Sequence, residues 1–355
     1  MATAYTSHQA DLAIEASAKS YRAATGLSLK WGISAFDTYG TPPLAGWVYT
    51  FGARSGHMKS TLMNSLNRGF GKQLMDINKN DPDNLNVGVW VKVEEVIEQA
   101  RFGVWEDVGF SYADLFNTNI SLALIAAHRK NQPKLPILYV GKSATGGKFS
   151  ASQALDNAKL GTLQIAEFLT GLKNGDHYKD GTKAIKPAYV VIDYLQRLQP
   201  KTAGKYNSTE RIEAVSADII DMATAFQVPI ILAAQTAMKE SDGGIPDETE
   251  IFGSSQAAMD TFAFIGMMRP IKNKASNEST NIKVAPKGLP SYWDGDSVKL
   301  KGDPECYPMT NDILIIRANK WRNTRRLEGK TFPVWFDDES NLSEVSPYGS
   351  RPKKP

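Results

Sequence analysis

A chain of 355 residues with 42% hydrophobic side chains carries enough apolar material for one large domain or two small ones. A formal net charge of +3 excludes a binder driven by bulk charge, and a single cysteine, Cys306, excludes a disulfide framework within the chain and fits a reducing compartment. No apolar run approaches a membrane span, and the opening MATAYTSHQADLAIEAS lacks the apolar centre of a secretory signal, so the expectation is a cytoplasmic protein with no membrane partner.

In chain order, Ala10, Ala13, Ile14, Ser17, Ala18 and Tyr21 form a narrow alanine-rich stripe. It predicts a linker-like helix within residues 1–28, marginal alone and suited to docking on its own subunit or a neighbour. Leu29 to Gly46 reads as a connector. Then comes WVYTFGARSGHMKSTLMNSL, Trp47 to Leu66. An apolar strand runs into small residues, and Lys59-Ser60-Thr61 opens a helix with Leu62, Met63, Leu66 and Phe70 on one face. Strand, small-residue loop, Lys-Ser and helix form the phosphate-binding P-loop pattern. Its chemistry assigns Ala53, Arg54, Ser55, Gly56, His57, Met58, Lys59, Ser60 and Thr61 to the cradle of ATP. Lys59 faces the β/γ-phosphates and the Ser60 hydroxyl a Mg²⁺ ion. The pattern has Gly where this chain has Met58, and a strand-turn-helix corner with an incidental Lys-Ser is the plainer alternative.

A second strand is predicted over Val87 to Val93, beside the P-loop strand and ending at Glu94-Glu95. Those carboxylates either face the ligand edge of an open α/β sheet or simply start the next helix. A helix over Asn119–Arg129, a strand over Pro136–Val140 and a long helix from Leu155 to about Gly171 follow, then a charged surface loop, Lys173 to Lys186. The apolar run of YVVIDYL, Tyr189 to Leu195, reads as a strand buried on both faces and carries Asp193 at its end. An acid there orders Mg²⁺ in P-loop enzymes, or caps the next helix. A helix through Ile212 to Phe226 leads to a strand, Pro229 to Ala234, that ends at Gln235. A further helix and strand run from Ser254 to Met268, and residues 271–310 read as a loop-rich excursion or loose hairpin. The strand Ile313–Ala318, a basic run from Arg317 to Lys330 and the strand Thr331–Phe336 close a terminal hairpin before a disordered tail, 346–355. The alternation predicts an α/β fold with a twisted, mainly parallel sheet, helices on both faces and an antiparallel C-terminal hairpin.

With these landmarks in order, about residues 26–345 resemble the RecA-like ATPase domain of DnaB-type replicative helicases, of a phage or mobile-element type, with the domain itself expected over 29–345. The Ala53-Arg54 to Lys59-Ser60 loop, Glu94 followed by Glu98-Gln99, VVIDYLQRL, VPIILAAQ and ANKWRNTRR carry the likeness. The resemblance implies Glu94 as the general base, Gln235 as the γ-phosphate sensor and Asp193 with Ser60 as Mg²⁺ ligands. It also implies Lys320 and Arg322 as a pair acting on the ATP of a neighbouring subunit. A homo-oligomeric, hexameric ring on single-stranded DNA follows, with a loader or other replication protein as a further partner. The expectation is that the family's N-terminal domain is absent, with at most a linker-like helix in its place. Lys239, Lys142 and Lys148 are candidate DNA contacts, with solvated surface lysines as the alternative at each. The loop after Gln235, TAMKESDGGIPDETE, holds one lysine among several acids. It and Met58 favour a second expectation, a RecA-like assembly or regulatory ATPase without unwinding activity.

Overall fold

The computed structural model describes residues 6, 12, 29–104, 120–142, 160–175, 183–202, 204–237, 245–251, 253–254, 256–269, 293–294, 297–299, 306–308, 313–322, 324, 326–329, 331–336 and 342–344. Of the stretch 1–28 expected to hold a linker-like helix only residues 6 and 12 are described, and the tail expected over 346–355 lies outside these residues. The first described helix is short, α1 (Ser34–Tyr39). Twelve strands follow with their helices. They are β1 (Val48–Ala53), α2 (Lys59–Lys79), β2 (Asn84–Val96), α3 (Ile97–Phe102), α4 (Leu122–Asn131), β3 (Ile137–Lys142), α5 (Thr162–Asn174), β4 (Ala184–Asp193), α6 (Ser208–Phe226), β5 (Ile230–Gln235), α7 (Gln256–Met259) and β6 (Ala263–Met268). Then come β7 (Trp293–Asp294), β8 (Ser297–Lys299), β9 (Cys306–Pro308), β10 (Ile313–Trp321), β11 (Thr331–Phe336) and β12 (Leu342–Glu344).

Nine strands form one sheet in the order β12-β11-β10-β6-β1-β5-β4-β2-β3. From β6 to β3 every pairing is parallel, whereas β10, β11 and β12 add antiparallel strands at one edge. The central strands are apolar throughout because both faces are covered. Alternation sorts their side chains into two cores. Tyr49, Phe51, Tyr189, Val191, Ile231 and Ala233 face α2 through Leu62, Leu66, Phe70 and Leu74. Val190, Ile192, Ile230 and Leu232 face α5 and α6 through Ile165, Leu169, Val215 and Ile219. The expected layering, helices on both faces of a mainly parallel sheet with an antiparallel hairpin, is what the chain builds.

Several expectations need correction. β2 does not lie beside β1, since β5 and β4 stand between them. It also continues through Glu94 and Glu95 to Val96, so those acids end a strand rather than open a helix. β4 begins at Ala184, inside the stretch read as surface loop. The helix assigned from Leu155 starts at Thr162, with Leu155 outside the described residues. β10 runs to Trp321 and so includes Lys320. Within the excursion the described residues form a three-stranded antiparallel sheet, β7-β8-β9.

The connector from residue 29 is part of the core. Asp37 accepts the Trp31 and Gly32 N–H groups at 2.7 and 3.0 Å, folding the chain back. The Trp31 ring then contacts Phe36, Tyr49, Phe51, Phe70 and Trp321. Burying an aromatic of that size stabilises by about 2–3 kcal/mol, and it ties the first connector to the last long strand.

Candidate nucleotide site

The carboxyl ends of β1, β5, β4 and β2 share one edge of the sheet. β1 pairs Ala53 with Gln235 of β5, and β4 pairs Asp193 with Lys92 of β2. From Ala53 the chain turns through Arg54 to Met58 into α2. Gly56 takes a φ of 77°, which suits glycine, but Met58 takes φ 59° and ψ 25° directly before Lys59. A residue with a Cβ held there costs roughly 1–2 kcal/mol. The loop is anchored at its flanks. His57 is buried and its Nδ1 accepts the Arg269 N–H at 3.0 Å, while Ser55 and Gly56 stay exposed. Arg54 is buried, and Met58, Lys59, Ser60 and Thr61 are half-buried.

Tyr189 of β4 donates to Asn67 Oδ1 of α2 at 2.7 Å, so helix and strand are pinned to each other in the core. That register brings Ser60 to Asp193, where the hydroxyl donates to Oδ2 at 3.0 Å. The same Oδ2 accepts Lys92 Nζ at 2.6 Å. Lys92 Nζ also meets Glu95 Oε2 at 2.6 Å and lies 4.9 Å from the Trp90 ring centroid. Only 1% of the Lys92 side chain is exposed, which matters because a buried ammonium is tolerated only when paired. Burial holds the Lys59 ammonium below the usual lysine range, and the Asp193 and Glu94 carboxylates oppose that shift. Lys59 Nζ is 5.8 Å from the Tyr194 ring. Glu94 meets Arg197 Nη2 at 3.3 Å, both side chains being more than half exposed. Water and salt screen so exposed a pair, so Glu94 is free to leave it.

The donor set fits the cofactors the P-loop pattern implies. Ser60 Oγ and Asp193 Oδ2 are hard oxygens in contact at one end of a loop and helix N-terminus, the combination that suits Mg²⁺ beside phosphates.

Gln235 ends β5, half-buried. Its backbone is held on both sides by one amide. Gln196 Oε1 accepts its N–H at 2.9 Å and Gln196 Nε2 donates to its carbonyl at 2.8 Å. Glu94, Lys59, Ser60, Asp193 and Gln235 therefore share one edge, as expected. Lys320 and Arg322 do not. β10 runs antiparallel to β6, and the Arg322 N–H donates to Phe262, whose own N–H donates to Val48. Arg322 is thus level with the start of β1, about 16 Å along the strand from Ala53. Arg322 is exposed and Lys320 half-buried. Burial, and then the Arg322 charge, lower the Lys320 pKa. Lys142 closes β3 opposite Val96, at the nucleotide edge. Lys148 and Lys239 lie outside the described residues.

Sequence reasoning missed Lys92 and Gln196. A lysine inside the apolar run VWVKV was the available signal for the first, because a strand buried on both faces holds a charge only against a partner. Gln196 gave none, since its role depends on the turn after Asp193 meeting the end of another strand.

No family model matches the sequence, and no curated protein matches it. Solved structures do match. One is described as the structure of a DnaB-like replicative helicase and its interactions with primase, with 14% identity and a TM-score of 0.59 over 97% of this chain and 68% of that one. Another is described as the ATPase domain of G40P, with 15% identity and a TM-score of 0.60 over 95% of this chain and 98% of that one. The chain therefore has the fold of a DnaB-like helicase ATPase domain, as the motifs led one to expect.

Proposed function

We propose that this chain is an ATP-hydrolysing, ring-forming RecA-fold motor that acts on single-stranded DNA with DnaB-like replicative helicase activity. The observation that carries the reading is the contact between Ser60 and Asp193, 133 residues apart in sequence, with Lys59 and Glu94 at the same sheet edge. In this reading Arg54 to Thr61 wrap the phosphates and Lys59 neutralises the β/γ oxygens. Mg²⁺, when bound, screens the phosphate charge, and Ser60 and Asp193 hold it. Glu94 accepts the proton of the attacking water, and Gln235 reads the γ-phosphate from a backbone fixed by Gln196. Lys320 and Arg322 serve the site of the adjoining subunit, and DNA contacts fall to Lys142, Lys148 and Lys239. Among the described residues no helix is long and apolar enough to cross a membrane.

Phosphate release measured with and without single-stranded DNA, beside the mass in solution, tests this reading. Expected are a multimer and DNA-stimulated turnover. Turnover indifferent to DNA moves the conclusion to the second reading, a RecA-like assembly or regulatory ATPase. Met58 in a left-handed conformation and a lysine seated on Asp193 both favour that second reading, since each works against fast nucleotide handling.

A further inference from the structure

Among the described residues, Lys92 is a charged group at this edge that neither the P-loop pattern nor the proposed chemistry uses. It is also the most buried. Its strand register sets it opposite Asp193, its ammonium touches two carboxylates at 2.6 Å each, and the Trp90 ring stands over it. Without Lys92, Asp193 and Glu95 would be two carboxylates converging on one point, with Ser60 Oγ as a third oxygen. That is a donor set of the kind that takes a divalent cation directly. With Lys92 in place their charge is already offset.

We propose that Lys92 is a resident counter-cation that occupies Asp193 in the nucleotide-free protein and keeps the Asp193–Glu95–Ser60 oxygens from taking up a free divalent cation. The inference rests on the nucleotide-site reading. It makes Lys92 a positioning residue: it fixes the Asp193 carboxylate toward Ser60 and sets when the site accepts charge. Glu95 supplies the second anchor, which holds the ammonium beside Asp193 without taking all of its charge. A lysine present only to satisfy the core would lose stability on substitution and do nothing to cation binding.

Mn²⁺ is the probe, followed by electron paramagnetic resonance on the full chain, with and without ATP. The parent protein should take up Mn²⁺ with ATP and none without it. Lys92→Met should bind one Mn²⁺ without nucleotide, over a concentration range in which the parent binds none. Adding Asp193→Asn should remove that uptake. Lys92→Gln keeps a donor for the carboxylates should the methionine variant fail to fold, and the same uptake is expected of it. Nucleotide-free uptake by the parent, or none by either Lys92 variant while ATP-dependent uptake persists, overturns the proposal. Loss of ATP-dependent uptake in the parent instead overturns the nucleotide-site reading, and the proposal with it.

Discussion

At the carboxyl edge of the parallel strands, cations are held among carboxylates: Lys59 lies half-buried near Asp193 and Glu94, and Lys92 is locked between Asp193 and Glu95. At the opposite edge Lys320 and Arg322 sit side by side, and the nearest acids acting on Lys320 are Glu248 and Asp260. The first edge is preorganised by strand register and by the Tyr189–Asn67 bond, so its charged groups are positioned against one another within one chain. The second offers a pair of like charges on the end of a rigid strand, with Arg322 exposed. Like charges held together are useful where an anion arrives from outside. On the proposed reading, the first edge is the half of an ATP site that one subunit supplies and the second is the half it offers to another.

The comparison breaks most completely at the first edge. Lys59→Ala and Asp193→Ala should each abolish phosphate release, the first because Lys59 opens the helix that faces the phosphates in the proposed site and the second because Asp193 would hold Mg²⁺ with Ser60. Turnover at the parental rate in both variants would end the nucleotide-site reading.

The next effect belongs to the second edge. Arg322→Ala should reduce turnover by about 10³–10⁵-fold, the range of arginine fingers in phosphoryl transfer. ATP binding to the isolated subunit should persist, because Arg322 is level with the start of β1 and not with its loop. Mixing Arg322→Ala with Lys59→Ala subunits should restore part of the activity where a sound loop meets a sound arginine. Freely exchanging subunits that regain nothing would show that Arg322 serves its own subunit or only the interface.

Glu94→Gln should retain ATP binding and lose about 10²–10⁴-fold in rate, as expected for a general base. Glu95→Gln is the sharper half of the test. Glu95 is committed to Lys92, whereas Glu94 has only an exposed arginine. Equal loss in Glu95→Gln with none in Glu94→Gln would exchange their roles.

Much of this was legible in the chain, because strand-end chemistry is local. Lys59, Asp193 and Gln235 each follow an apolar run that could only be a buried strand, and their shared edge follows from parallel pairing. Strand order was not legible. Placing β2 beside β1 put Glu94 next to the loop directly, whereas it reaches the Lys59 neighbourhood from beyond β4 and β5. Sequential strands often pair, and here the long-range contacts of Asp193 with both Ser60 and Lys92 fill the gap instead. Trp31 was equally hidden. Its partners come from four separate stretches of sequence, and no local period announces a ring cluster of that kind.

The smallest effect is expected at Met58, and it separates two physical causes. The residue precedes Lys59 in a left-handed conformation while its side chain packs against the α2 core. Met58→Gly removes the Cβ strain, about 1–2 kcal/mol, and restores some flexibility to the unfolded chain, which offsets roughly 0.5–1 kcal/mol of that gain. Met58→Ala removes the thioether but keeps the Cβ and so the strain. If the thioether crowds the phosphates, both variants should bind ATP more tightly, by about three- to tenfold, equivalent to about 1 kcal/mol. If backbone strain limits the loop, only Met58→Gly should gain. Strain relieved equally with and without ATP would raise the melting temperature of the glycine variant and leave the dissociation constant alone. Titration calorimetry and a thermal melt on the same two variants distinguish these outcomes. No gain in affinity, rate or stability in either would mean that the loop has accommodated the methionine.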